Sequence, residues 1–206
     1  MRIAALVLMT LVLTFTSPAR ALSADTAAAD APSADTHGVM TTYYESGGVE
    51  WERRYQNGKQ DGITRKFFEN GHLQGESTFT TGRLNGIFKT YFESGGLESE
   101  LSYRADRLEG MSRFFYESGA LKREVNFAAG LREGPARDFY EDGQVKAEWF
   151  YEKDFLSGEA RLFYESGASR AVAQFAEGKR HGTLKMFRSD GRLLEIQEFK
   201  AGERTQ

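Results

Sequence analysis

Glu45, Glu69, Glu93, Glu117, Glu141 and Glu165 recur every 24 residues, each just before a Ser-Gly, Asn-Gly or Asp-Gly pair. Carboxylates set near one another are the raw material of acid–base chemistry, glycoside cleavage included. Such chemistry needs one asymmetric site in which two groups are pushed to different pKa values. Six copies in one repeating setting predict solvated turn-side acids instead. His37, His72 and His181 stand at different places relative to that spacing, so a shared metal site is not expected. The chain has no cysteine, which removes disulfides and thiolate ligands. Its glycines form neither a phosphate-binding loop nor a dinucleotide fingerprint, because no helical pattern follows them. The residues therefore predict no catalytic group, no metal and no cofactor.

Binding chemistry is better represented. Phe67, Tyr91, Phe115, Phe139 and Phe163 form one aromatic column at the same 24-residue spacing, with Tyr43 and Phe187 at its ends. Two residues before each member lies a cation: Arg65, Lys89, Arg113, Arg137 and Arg161, then Lys185. Rings interleaved with cations hold an extended polymer or a partner's strand by stacking and charge. The competing reading is a purely structural ladder, with rings packed on neighbouring guanidinium stems.

The elements that must carry these columns follow from the repeat. Glycine returns at 47, 71, 95, 119, 143, 167 and 191 without insertion, and a second Gly/Asp signal returns in phase at Gly58, Gly82, Asp106, Gly130, Asp154 and Gly178. A fixed period of this length is the mark of a repeat architecture. Each unit reads as two aromatic-rich strands separated by Gly-containing turns. Asn-Gly, Asp-Gly and Ser-Gly favour two-residue hairpin turns. Centring such a turn on Asn70-Gly71 pairs Glu69 with His72, Phe68 with Leu73, Arg65 with Glu76 and Gly62 with Phe79. That register puts Val49, Leu73, Leu97, Leu121 and Val145 on one apolar face with Tyr55, Phe79, Tyr103, Phe127 and Tyr151. It sets Glu52, Glu76, Glu100, Glu124 and Glu148 across from the cations on the other face. The second aromatics, Tyr44, Phe68, Phe92, Tyr116, Tyr140 and Tyr164, fall in the core. Gly62 would leave room for the Phe79 ring to lie over bare backbone. The predicted fold is all-β, an elongated antiparallel meander of seven tandem 24-residue hairpins, about fourteen short strands in all. Its last strand ends in a polar tail, residues 200–206, that is a candidate edge cap.

The pattern Tyr/Phe-Glu-Ser/Asn-Gly-x-Leu followed by Tyr/Phe-x-x-Gly-x-x-x-Gly resembles the MORN repeat in its variant form. Phe68-Glu69-Asn70-Gly71-His72-Leu73 and Phe79-Thr80-Thr81-Gly82-Arg83-Leu84-Asn85-Gly86 are close instances. The likeness covers about residues 39–206. It implies a protein-binding or membrane-associating scaffold with no catalytic residue to carry over. Bacterial proteins of this look are often labelled YwqK-type antitoxins, which implies toxin neutralisation by direct binding as an alternative.

Residues 1–21 have the pattern of a signal peptide: Arg2, an apolar run from Ile3 to Phe15, and cleavage after Ala21. The run is short for a transmembrane helix, and the alternative to cleavage is an uncleaved anchor. Residues 22–38 are Ala, Asp, Ser, Thr and Pro with almost nothing large, and read as a disordered linker. Loss of the leader leaves 25 basic against 30 acidic residues, a net charge of −5. That balance argues against nucleic-acid binding. The expectation is a non-catalytic periplasmic or secreted repeat protein that binds a protein or cell-envelope polymer.

Overall fold

The computed structural model describes Ser33 and residues 35–205. The leader assigned to 1–21 and most of the linker assigned to 22–38 lie outside the described residues. Aromatic and β-branched residues alternate with polar ones along runs of six to nine residues, and each run is a strand. The strands are β1 (Gly38–Tyr43), β2 (Val49–Gln56), β3 (Lys59–Phe67), β4 (Leu73–Thr80), β5 (Arg83–Leu84), β6 (Gly86–Tyr91), β7 (Leu97–Arg104), β8 (Arg107–Leu108) and β9 (Gly110–Phe115). They continue as β10 (Leu121–Ala128), β11 (Leu131–Phe139), β12 (Val145–Glu152), β13 (Phe155–Phe163), β14 (Ser169–Ala176), β15 (Lys179–Phe187), β16 (Leu193–Lys200) and β17 (Glu203–Arg204). β5 with β6, and β8 with β9, are single strand positions interrupted at Asn85 and at Glu109.

Each strand position pairs antiparallel with the next, from β1–β2 through β3–β4 and β13–β14 to β16–β17, in one 17-stranded sheet. The meander of hairpins is therefore as the sequence predicts. So is the mid-strand register: Gly62 faces Phe79 and Arg65 faces Glu76.

The two turns are the reverse of expectation. At the Asn70-Gly71 type of turn, the Gly71 amide donates to Phe68 O and the Phe68 amide to His72 O. Only the glycine has a positive φ there, +86°. This is a three-residue loop, a type I turn closed by a left-handed glycine. The two-residue turn lies instead at Asn57-Gly58 and its equivalents, where both central residues have positive φ. Ala105 at 48° and Asp106 at 68° adopt this type I′ geometry with no glycine at all.

The longer loop changes the register near it. Phe67 pairs with Leu73, not Phe68 with Leu73, and Gln74 is the extra residue of a bulge. A one-residue slip moves a side chain to the opposite face. Leu73 and its equivalents therefore stand beside the Phe67 column, and not on the Phe79 face as the simple alternation predicted. The role expected of Gly62 also changes. Its φ of +105° belongs to a second bulge, and a Cβ there would meet Arg54 Cδ at 2.8 Å, not the Phe79 ring.

The core is the inner face of this single sheet. Down its middle run small and apolar residues, among them Thr64, Ser77, Ser99, Ser112, Ala136, Ala147, Ala160 and Ala173, all buried. Phe88 and Leu101 are 2% and 0% exposed. Burial of each contributes roughly 2 kcal/mol. The Phe88 and Tyr103 rings meet edge to face with centroids 6.2 Å apart. Small residues in the centre let the flanking rings close over them.

Candidate functional site

The Arg65, Lys89, Arg113, Arg137 and Arg161 column lies on the outer face, opposite the small-residue strip. Successive pairing sets each cation between two strands of the preceding and following hairpins. Arg65 bridges to Glu76 at 2.8 Å and to Glu52 at 3.8 Å. Glu100 takes Lys89 at 3.7 Å and Arg113 at 3.6 Å. Arg137 bridges to Glu148 at 3.1 Å and Glu124 at 3.5 Å. These pairs are roughly half exposed, so each contributes at most about 1 kcal/mol. Their larger effect is to hold the cations in one line. Arg161 breaks the rule: its acid neighbour across β14 is replaced by Val172, and it turns to Glu159 on its own strand at 2.6 Å.

Phe67, Tyr91, Phe115, Phe139 and Phe163 lie on the same outer face, one pleat from the cations, and all are half-buried. The bulge explains the partial burial, because it brings the Leu73 column between the rings. The outcome is a strip of alternating rings and aliphatics, Phe67, Leu73, Tyr91, Leu97, Phe115, Leu121, Phe139 and Val145, bordering the charge ladder. Sequence reasoning found the rings and missed the aliphatics, since nothing in the spacing marks the bulge. At the first hairpin Tyr43 is 62% exposed.

The second aromatics are structural rings with a polar end. They are half-buried rather than fully enclosed. The hydroxyls of Tyr44, Tyr116, Tyr140 and Tyr164 donate to the carbonyls of Phe67, Phe139, Phe163 and Phe187, each in the following repeat. Lys122, Lys146 and Arg170 sit over the Tyr116, Tyr140 and Tyr164 rings at 5.3, 5.4 and 5.6 Å. Burial, with nearby acids, raises the phenol pKa of Tyr44 and Tyr116. Burial raises that of Tyr140 too, against the opposing charge of Arg170.

One inner-face group breaks the repeat. Arg123 stands where other repeats carry Gly75, Ser99 or Ala147, and binds Asp138 through Nη2–Oδ2 at 2.7 Å. Their side chains are 20% and 15% exposed. Burial lowers the Arg123 pKa, but the bond to Asp138 outweighs it and the net shift is upward. The signal was legible: a cation in a column of small residues, and an acid in the column of Thr90 and Leu162. His72, outside any metal cluster, donates from Nδ1 to the Glu93 carbonyl oxygen over 2.8 Å and serves as a link between repeats. Among the described residues no three His, Cys, Asp or Glu come together in a way that could hold a metal.

A single sheet of in-register hairpins, each bonded to the next, defines a β-repeat array whose chemistry lies on a face. The chain belongs to the MORN repeat variant family, whose profile matches residues 36–57, 60–80, 84–105, 108–129 and 132–153, more than half of the chain. MORN repeats are typically protein- or membrane-binding repeats. No curated protein matches the chain. Among solved structures the chain is similar to a point mutant of S. aureus TarM in complex with fondaparinux, alpha-GlcNAc-glycerol and UDP. That match has 10% identity and a TM-score of 0.27, over 70% of this chain and 21% of the other. A second TarM structure gives 12% identity and a TM-score of 0.27, over 69% and 20%. Alternansucrase in complex with isomaltononaose gives 16% identity and a TM-score of 0.23, over 81% and 16%. The chain thus spans about a fifth or less of the length of these proteins.

Proposed function

We propose that this protein is a non-catalytic binding or scaffolding module that acts outside the cytoplasm and holds a protein segment or cell-envelope polymer along its outer face. The observation that carries this reading is the outer strip. Half-exposed rings and aliphatics run in register beside a row of aligned cations from β3 to β13. The repeat sets like groups roughly 10 Å apart, two strand spacings per hairpin. An extended occupant with apolar groups and acids at a similar interval gains stacking and charge contacts at every step. The export assignment is supported by the signal-like pattern at residues 1–21. Toxin neutralisation is the narrower form of the same proposal, with a folded toxin as the occupant.

The test is capture from the organism's envelope fraction by the purified chain. A variant combining Phe115→Ala, Arg137→Gln and Phe139→Ala should lose the captured component while its circular-dichroism spectrum stays the same. A second variant, Arg113→Gln with Arg137→Gln, leaves the rings in place and should bind more weakly. Undiminished capture by both variants refutes the outer-face assignment.

A further inference from the structure

Among the described residues, the first and last long strands, β1 and β16, have outward sides that are largely unpaired and side chains that match. β16 is paired with β15 along its length, but on its other side β17 reaches only Phe199 and Lys200. The Thr205 amide adds one bond to Glu198 O. Among the described residues no strand pairs with Leu193 to Gln197 on that side, where the Arg204 side chain reaches Glu195 at 3.4 Å. The polar tail read as an edge cap therefore covers only the end of the strand. At the opposite end β1 pairs with β2 and, among the described residues, with nothing else.

We infer that these two edges bind one another between copies, β1 of one chain adding to β16 of the next and continuing the meander across the junction. Three observations carry this. The first is phase. Gly38 to Tyr43 occupy the same places in the 24-residue period as Gly182 to Phe187 and Gly62 to Phe67. β17 occupies the places of Lys59 and Gln60 and already pairs as β3 does with β2. A second copy's β1 thus supplies the stretch that follows Thr205 in the repeat. Residues 35–37 of that copy share the places of 203–205, so one of the two short segments yields.

The second observation is chemical. Inside the array the outer pair at this position is a cation and a glutamate, as in Glu76 with Lys89. The two members that meet at the junction are Thr41 and Ile196, by analogy with Val172 and Lys185. Both are uncharged, so no ion is stranded. Natural sheet edges are usually guarded by charge. Here β1 presents Val39, Met40 and Tyr43 at 61%, 37% and 62% exposure, and β16 presents Leu193, Leu194 and Ile196 at 52%, 49% and 49%. Tyr43 falls beside Leu194, as Phe187 falls beside Arg170.

The third is backbone direction. The Tyr44 amide bonds inward to Gly48 O, so the alternation of an antiparallel strand points the Thr41 amide outward. The Glu198 carbonyl accepts the Thr205 amide on the outward side, and alternation over two residues points the Ile196 amide outward as well. Joining opposite ends is a heterologous contact that does not close on itself, so it builds linear chains rather than a two-fold dimer.

Sedimentation velocity on the whole chain tests this. The wild type should pass with rising concentration from monomer through dimer to longer species. Proline is tolerated at an edge where its missing amide faces solvent, so Thr41→Pro and Ile196→Pro should each fold and each stay monomeric. An equal mixture of the two should stop at the dimer, since one open edge of each kind remains. Should either proline variant misfold, a chain carrying both Thr41→Arg and Ile196→Glu takes its place. Each charge is matched within the chain by Glu52 and Lys185, and across the junction the two copy Lys89 with Glu76. This chain should associate at lower concentration than the wild type, and association no stronger than the wild type's would overturn the proposal. A wild type that stays monomeric at every concentration, single variants that associate like the wild type, or a mixture that stays monomeric would each overturn the proposal.

Discussion

The phenol of Tyr140 donates a 2.8 Å hydrogen bond to the carbonyl oxygen of Phe163, one residue short of a full period away. The same bond recurs from Tyr44, Tyr116 and Tyr164. It lapses where the column carries Phe68 and Phe92. Hairpin is thereby tied to hairpin at the loop end. At the other end the turn amide of Gly82, Gly130 or Gly178 donates to the strand of the preceding repeat. In a one-dimensional array such neighbour terms set the stability.

Tyr140→Phe should therefore cost about 1 kcal/mol, the net worth of one such bond. The loss should be local, seen as faster amide exchange around residues 163–169. Phe92→Tyr should add a rung and raise the melting temperature.

The phenols also make alkaline stability a readout. Tyr44, Tyr116 and Tyr140 have pKa values raised above the ordinary 10.0, because burial disfavours the phenolate. The neutral form is the one the fold favours. Their contribution is complete below the ordinary value and is lost as pH rises through the raised ones. The melting temperature should fall in that alkaline window, and less steeply in a Tyr116→Phe, Tyr140→Phe variant. Circular dichroism across the window measures it.

Arg123 and Asp138 give a double-mutant test. Replacing Arg123 alone with alanine leaves a largely buried acid without its partner and should cost about 3 kcal/mol. Pairing Arg123→Ala with Asp138→Leu copies the Ala147 and Leu162 contact of the next repeat. The double variant should recover most of the loss in urea denaturation.

Ala105, Ala129 and Ala201 hold φ near +50° at the first central place of type I′ turns. Left-handed geometry costs an alanine about 1 kcal/mol or more. Ala105→Gly and Ala129→Gly should each raise stability by somewhat less than that, since glycine gains entropy in the unfolded chain. Chemical denaturation of the single variants reads the sign directly.

The period, the hairpins and the pairing of Arg65 with Glu76 were all legible in the sequence, because side chains repeating every 24 residues must stack when hairpins of equal length lie side by side. The turn types were not. Asn70-Gly71 has the composition of a two-residue turn, yet Ala105-Asp106 is one and Asn70-Gly71 is not. The difference lies in the first central residue, which has a positive φ at Asn57 and Ala105 but not at Asn70. The Ala105-Asp106 turn is bonded to the preceding repeat, Leu84 N to Asp106 Oδ1, a contact between repeats that turn composition does not contain.

The sequence by itself determined which residues form columns, since period alone decides that. Only the tertiary structure decided which columns share a face. One bulged residue, Gln74 and its equivalents, carries the leucines across the sheet to stand among the outer rings. A bulge is chosen by the hydrogen bonds of two strands together, so one strand's residue pattern does not contain it.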